Sequence, residues 1–264
     1  MTEPLKRTYT DRSLVLLLLL CGLFVGFYVT GDIIGSKLFT FTIFGLTPKS
    51  FGLSSEDGPF IATVGTLAFP LTFILTDIVN EYFGRYIVRR FTFVAIAVLL
   101  ILQPVLVAGV NAPTISFTPG TTSEQMDQAV RIVLGPAWPI VVGSVLAFAV
   151  GQLLDVWIFG LLRRVTGGRM LWLRSQGSTV VSQLIDSFVV IFVAFVIYPH
   201  LFGDPKQAWS VSGATNVSTT NYLVKFIIAV AITPVIYAVH YAVHAWLGHE
   251  EAERLVAHAH PTGA

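Results

Sequence analysis

Six long apolar stretches, each broken off by a short polar segment, account for most of this chain. A helix of about 20 apolar residues crosses a hydrocarbon core about 30 Å thick. Six segments reach that length: Ser13–Leu38, Ile61–Phe83, Val88–Val110, Pro136–Leu162, Ser178–Pro199 and Tyr222–Leu247. The pattern predicts an all-α membrane protein built as a bundle of six transmembrane helices. It divides the chain into an N-terminal segment 1–12, one membrane domain 13–247 and a C-terminal tail 248–264. The first stretch, with Lys6, Arg7 and Arg12 before it, has the look of a secretion signal. No small-residue cleavage site follows it, so it is expected to be retained.

Composition strengthens this reading. Hydrophobic residues make up 54% and charged residues 12% of the 264, where soluble domains carry about 25% charged. The mean hydropathy is +0.75. The lipid bilayer is therefore the expected surrounding, and a net charge of +1 gives no reason to expect a nucleic-acid partner. Cys21 is the one cysteine, which excludes an intrachain disulfide. Basic residues set orientation. Lys6, Arg7, Arg12, Arg85, Arg89, Arg90, Arg163, Arg164, Arg169, Arg174 and Arg254 fall on the side of both termini, against Lys37, Lys49, Arg131, Lys206 and Lys225 on the other. Both termini are expected in the cytoplasm, with the protein in the cytoplasmic (inner) membrane.

Polar residues inside the apolar stretches carry the chemistry. Asp77 and Glu81 are one helical turn apart, on one face of the second helix. The fourth and fifth helices share an echo, Gln152 with Asp155 and Gln183 with Asp186. At 1.5 Å per residue from the nearest inner arginine, Asp77, Gln152, Asp155, Gln183 and Asp186 all lie roughly 12–18 Å deep. Ionisable groups at such depth are costly and ordinarily face a cavity or pathway. The plainer alternative is that they bond across helices as structural glue. Glu81, near the inner boundary, has Arg85 one turn on as a partner.

Lys37 and Lys225, near the outer helix ends, either snorkel to the headgroups or reach inward to a substrate or a buried acid. Asp32 is the obvious local partner of Lys37. Trp157, Trp172, Trp209 and Trp246 suit interfacial belts, and Trp157 lies close enough to Asp155 to line a pocket. His240 and His244 have metal-like spacing, but no clear third ligand accompanies them. No metal site and no cofactor is expected. No phosphate-binding glycine loop occurs, nor a Gly-x-Ser-x-Gly nucleophile motif, so neither nucleotide hydrolysis nor another enzymatic activity is expected.

The segment Phe69-Pro70-x-Thr72-Phe73-x-x-x-Asp77-Ile78-x-x-Glu81-x-Phe83-Gly84 resembles the signature of the queuosine precursor transporter family, also called vitamin-uptake-transporter-like. The likeness continues through Ile33-Ile34-Gly35-Ser36-Lys37, Gly151-Gln152, Leu171-Trp172-Leu173-Arg174, Gln183-Leu184-Ile185-Asp186, Asn221-Tyr222-x-x-Lys225 and Thr233-Pro234. Asn80 stands where threonine is more usual, and Asp155 where asparagine is. The resemblance implies six helices and import of 7-cyano-7-deazaguanine or 7-aminomethyl-7-deazaguanine. A carboxylate accepts the adjacent N–H donors of a guanine-like edge, and a Gln or Asn amide donates to its carbonyl. Asp77, Asn80, Glu81, Gln152, Asp155, Gln183 and Asp186 would line the path, with Lys37 and Lys225 near it and Phe69, Phe73 or Trp157 stacking on the base. Two acids one turn apart also suit proton coupling. The alternative is a substrate-capture subunit served by a separate ATP-driven partner. Gly22 and Gly26 form a Gly-x-x-x-Gly face that would suit a homodimer.

Overall fold

The computed structural model describes residues 10–51, 58–135, 137–165 and 171–259. Ten helices and one small sheet are found among them: α1 Asp11–Ile34, β1 Leu38–Phe41, β2 Phe60–Thr63, α2 Phe69–Phe83, α3 Arg85–Asn111, α4 Ser123–Leu134, α5 Ala137–Val165, α6 Leu171–Ile191, α7 Tyr198–Phe202, α8 Val211–Ala231, α9 Thr233–Leu247 and α10 His249–Ala259. Five helical stretches are long and apolar enough to cross a membrane, or six when α8 and α9 count as one broken span. The protein is thus a helical membrane protein. Leu18, Leu19, Ile101, Val105 and Val230 stand exposed on these helices, as lipid-facing side chains do.

Local chemistry explains where the helices start and stop. Pro70 sits in the first turn of α2 and Pro234 in that of α9, where a missing N–H leaves nothing unsatisfied. Both helices end on a glycine, Gly84 and Gly248. Gly84 adopts φ +82° and donates its N–H to the Asn80 carbonyl at 3.1 Å, a conformation that strains residues with a side chain. The break between α8 and α9 falls at Ile232, just before Thr233-Pro234, because a proline ring and its missing N–H cannot continue a helix. A similar cause marks the end of the α6 stretch, where Phe192–Ile197 widen into a π-helix. Pro199 has no N–H to offer the Phe195 carbonyl. That carbonyl accepts instead from the Trp209 N–H at 2.8 Å, while the two rings stack at 4.1 Å.

Three sequence expectations change in detail. The stretch from Ile61 is not helical throughout: β2 and a short 3-10 turn, Val64–Ala68, precede α2. The sixth helix begins at Val211 rather than Tyr222, since the serine- and threonine-rich lead-in is helical too. The tail is a helix, α10, packed against α2 and α9.

Packing groups the chain into two compact units. The first comprises Met1–Thr30, Ala68–Leu99 and Ile228–Ala264. Its core is apolar: Leu16, Leu20 and Phe24 of α1, Ile78 and Val79 of α2, Phe91 and Ala95 of α3, and Leu255 of α10. The Gly22 and Gly26 positions face open space. The second comprises Gly31–Leu67 and Leu100–Ile227. There α5 packs along α6, and β1 pairs antiparallel with β2 from Leu38 opposite Thr63 to Phe41 opposite Phe60.

Candidate functional site

In the second unit, α6 carries Gln183 and Asp186 one turn apart. Asp186 Oδ2 accepts a hydrogen bond from Lys225 Nζ of α8 at 2.7 Å. The lysine side chain is 14% exposed and the aspartate 40%. Taking an ammonium out of water is expensive unless a charge meets it, and a short charge-assisted bond is the strong form of that compensation. The Gln183 Oε1 atom is buried with no hydrogen-bond partner.

The pair is held in place by a second buried network. Asn221 precedes Lys225 by one turn of α8. Its Oδ1 accepts from the Thr63 N–H and from the Thr66 hydroxyl, each at 3.1 Å. Its Nδ2 donates to Thr63 Oγ1 at 3.4 Å. Such saturated networks fix one arrangement, here the register of α8 against the turn that follows β2. That turn also lies hard against the end of α1. A Cβ on Gly65 would come within 2.4 Å of the Gly31 carbonyl oxygen, so no larger residue fits without backbone movement.

Asp32 closes the group. Its Oδ1 accepts from the Ser144 hydroxyl of α5 at 3.1 Å. Its Oδ2 is buried and has no hydrogen-bond partner. Asp186 and Lys225 both lie within electrostatic reach of this carboxyl.

In the first unit, α2 buries Leu75, Ile78, Val79, Tyr82 and Phe83. Asp77 turns to α9, where its Oδ2 lies 3.0 Å from His240 Nε2; the side chains are 42% and 21% exposed. Tyr82 stacks on the His240 ring at 5.6 Å and donates its hydroxyl to the His240 carbonyl at 3.3 Å. Asn80 Oδ1 is buried without a partner. Glu81 is half-buried, and the Phe69 ring lies 5.8 Å from that of Phe73.

Residues 63–239 match the family profile described as "Putative vitamin uptake transporter". The chain belongs to that family. It is 33% identical over 194 residues to a protein of Bacillus subtilis named "Probable queuosine precursor transporter", covering 73% of this chain and 74% of that one. A protein of the same name from Haemophilus influenzae is 27% identical, over 90% of this chain and 91% of its own. The Escherichia coli "Queuosine precursor transporter" is also 27% identical, over 68% and 73%. No solved structure matches the chain. Multiple apolar helices and bacterial relatives make it a multi-pass bacterial membrane protein.

Within this family member, the residues singled out by sequence separate by unit. Asp77, Asn80, Glu81 and Phe69 belong to the first, and Lys37, Gln183, Asp186 and Lys225 to the second. The side chains of Gln152, Asp155 and Trp157 lie outside the described residues. Lys225 does not snorkel: it reaches the acid on α6. Lys37 is exposed, and Asp32 bonds Ser144 rather than Lys37. His240 meets Asp77 rather than forming a metal pair with His244, and among the described residues no group of metal-binding side chains occurs. Sequence reasoning missed Ser144 and the Asn221 network as structure, and His240 as Asp77's partner. Only Asn221 left a trace, through its place one turn before Lys225.

Proposed function

We propose that this protein is a secondary carrier that imports 7-deazaguanine precursors of queuosine across the cytoplasmic membrane, working as a transporter rather than an enzyme. The observation that carries the reading is the α6 pair. Asp186 is charge-stabilised by Lys225, and one turn away Gln183 presents a buried amide whose oxygen has no partner. A guanine-like base brings N–H donors and a carbonyl acceptor on one edge. Carboxylate and amide side by side supply the complementary acceptors and donor, and Lys225 bonds Oδ2 of the carboxylate. The named activities of the bacterial relatives point the same way.

The Asp77–His240 contact supports proton coupling as part of this reading. Histidine is the side chain whose charge changes near physiological pH, and here it touches a carboxylate in a span at 3.0 Å. Protons taken up there would turn a polar contact into an ion pair during the cycle.

Reconstitution of the pure protein into liposomes tests both statements. Entry of labelled 7-cyano- or 7-aminomethyl-7-deazaguanine without any other protein is the expected result. Binding without entry would identify a capture subunit that needs an energising partner, and absence of both would overturn the proposal. An imposed pH gradient should alter the rate in the native protein and not in His240→Gln; indifference of the native protein removes the coupling.

A further inference from the structure

Inside the second unit Lys225 lies within electrostatic reach of two aspartates, Asp32 and Asp186. Lys225 neutralises Asp186 through a 2.7 Å contact. Asp32 stands within the electrostatic reach of both, and among the described residues no cation bonds it. The neutral Ser144 hydroxyl bonds Oδ1, while Oδ2 is buried and unbonded. Two acids thus share one lysine. A carboxylate oxygen kept from water is costly until a donor, best a charged one, sits on it.

We propose that Asp32 is the seat for an ammonium group on the substrate, so that the carrier selects the aminomethyl-bearing deazaguanine over the cyano-bearing one. This rests on the reading of the α6 pair as the base-recognition site. An alkylammonium brings three N–H donors and one positive charge. It would satisfy Asp32 Oδ2 and place a positive charge beside that carboxyl. The nitrile brings an acceptor and no charge, so it leaves the carboxylate oxygen as it is. Ser144, by holding Oδ1, points the other oxygen for this contact, which makes it a positioning residue.

Competition in proteoliposomes and in detergent-based binding decides the matter. In the native protein the aminomethyl compound should compete about tenfold or more better than the cyano compound, the worth of one charge-assisted hydrogen bond. Asp32→Asn keeps the size of the side chain and the acceptor for Ser144, and should bring the ratio of the two affinities close to one. Equal competition in the native protein, a preference for the nitrile, or an undiminished ratio in Asp32→Asn overturns the inference while leaving the carrier reading standing. Binding of neither compound would sink both. If Asp32→Asn does not fold, the ratio in the native protein still decides.

Discussion

The two units fill their interiors with different matter. In the first, the buried side chains are Leu16, Leu20, Phe24, Ile78, Val79 and others of their kind, and Ser13 is the one small polar group among them in the described residues. In the second, Thr63, Thr66, Gln103, Ser144, Ser187, Ser218, Thr220 and Asn221 are all buried. Both units hold membrane-crossing helices, so lipid alone does not explain the contrast. In a bilayer, apolar packing is obtained cheaply, whereas each buried polar group must find a partner or cost free energy. The second unit carries that cost repeatedly and in part without compensation, at Asp32 Oδ2, Gln103 Nε2, Gln183 Oε1 and Ser218 Oγ. In the first unit, Asn80 Oδ1 is the one such atom among the described residues, and Asp77 has His240 as its partner. The second is where a polar ligand would be welcome.

Substitutions can break this contrast or sharpen it. The largest effect on stability is expected in the apolar unit. Ile78→Ala, at a site 1% exposed, should destabilise by about 2–5 kcal/mol in detergent unfolding, while uptake per folded molecule stays unchanged. Next comes the reverse outcome in the polar unit. Asp186→Asn should lower uptake by about tenfold to a hundredfold, matching about 1.5–3 kcal/mol for a charged hydrogen bond, with the protein still inserted. If Ile78→Ala instead abolished uptake by intact protein and Asp186→Asn left it whole, the division of labour would be wrong.

Asn221→Ala probes the saturated network. It would strip acceptors from the buried Thr63 N–H and Thr66 hydroxyl, at about 1–3 kcal/mol, and should shift both the unfolding midpoint and uptake, because Lys225 shares its helix. The smallest effect belongs to α10. Burial raises the Glu251 carboxyl, but hydrogen bonds from Thr10 and Arg254 and the Arg254 charge outweigh it, holding the group below its ordinary value. A carboxyl depressed on folding stabilises fully above its unfolded value, and that share is lost as pH falls through the lower folded one. Removing it by Glu251→Gln should therefore cost under about 1 kcal/mol at neutral pH and nothing in acid, as unfolding midpoints across pH would show.

Most of the helical layout was legible in the sequence, because a run of about 20 apolar residues has few other fates. The starts of α2 and α9 were not legible: the apolar runs from Ile61 and Tyr222 read as unbroken, whereas Pro70 and Pro234 sit in the first turns of α2 and α9. The motif residues Gln183, Asp186 and Lys225 stood out because polar groups are rare in such runs. What no local pattern could supply was pairing. Asp32 sits five residues from Lys37 yet bonds Ser144, and Asp77 lies one turn from Glu81 yet meets His240, far along the chain. Helical spacing tells which residues share a face but not which other helix that face meets. The sequence by itself settled that this chain lives in a membrane and which polar residues are out of place there. The packing of helices decided which of them are neutralised and which still lack a partner, because in low dielectric a charge takes the donor that tertiary contact brings to it, near in sequence or not.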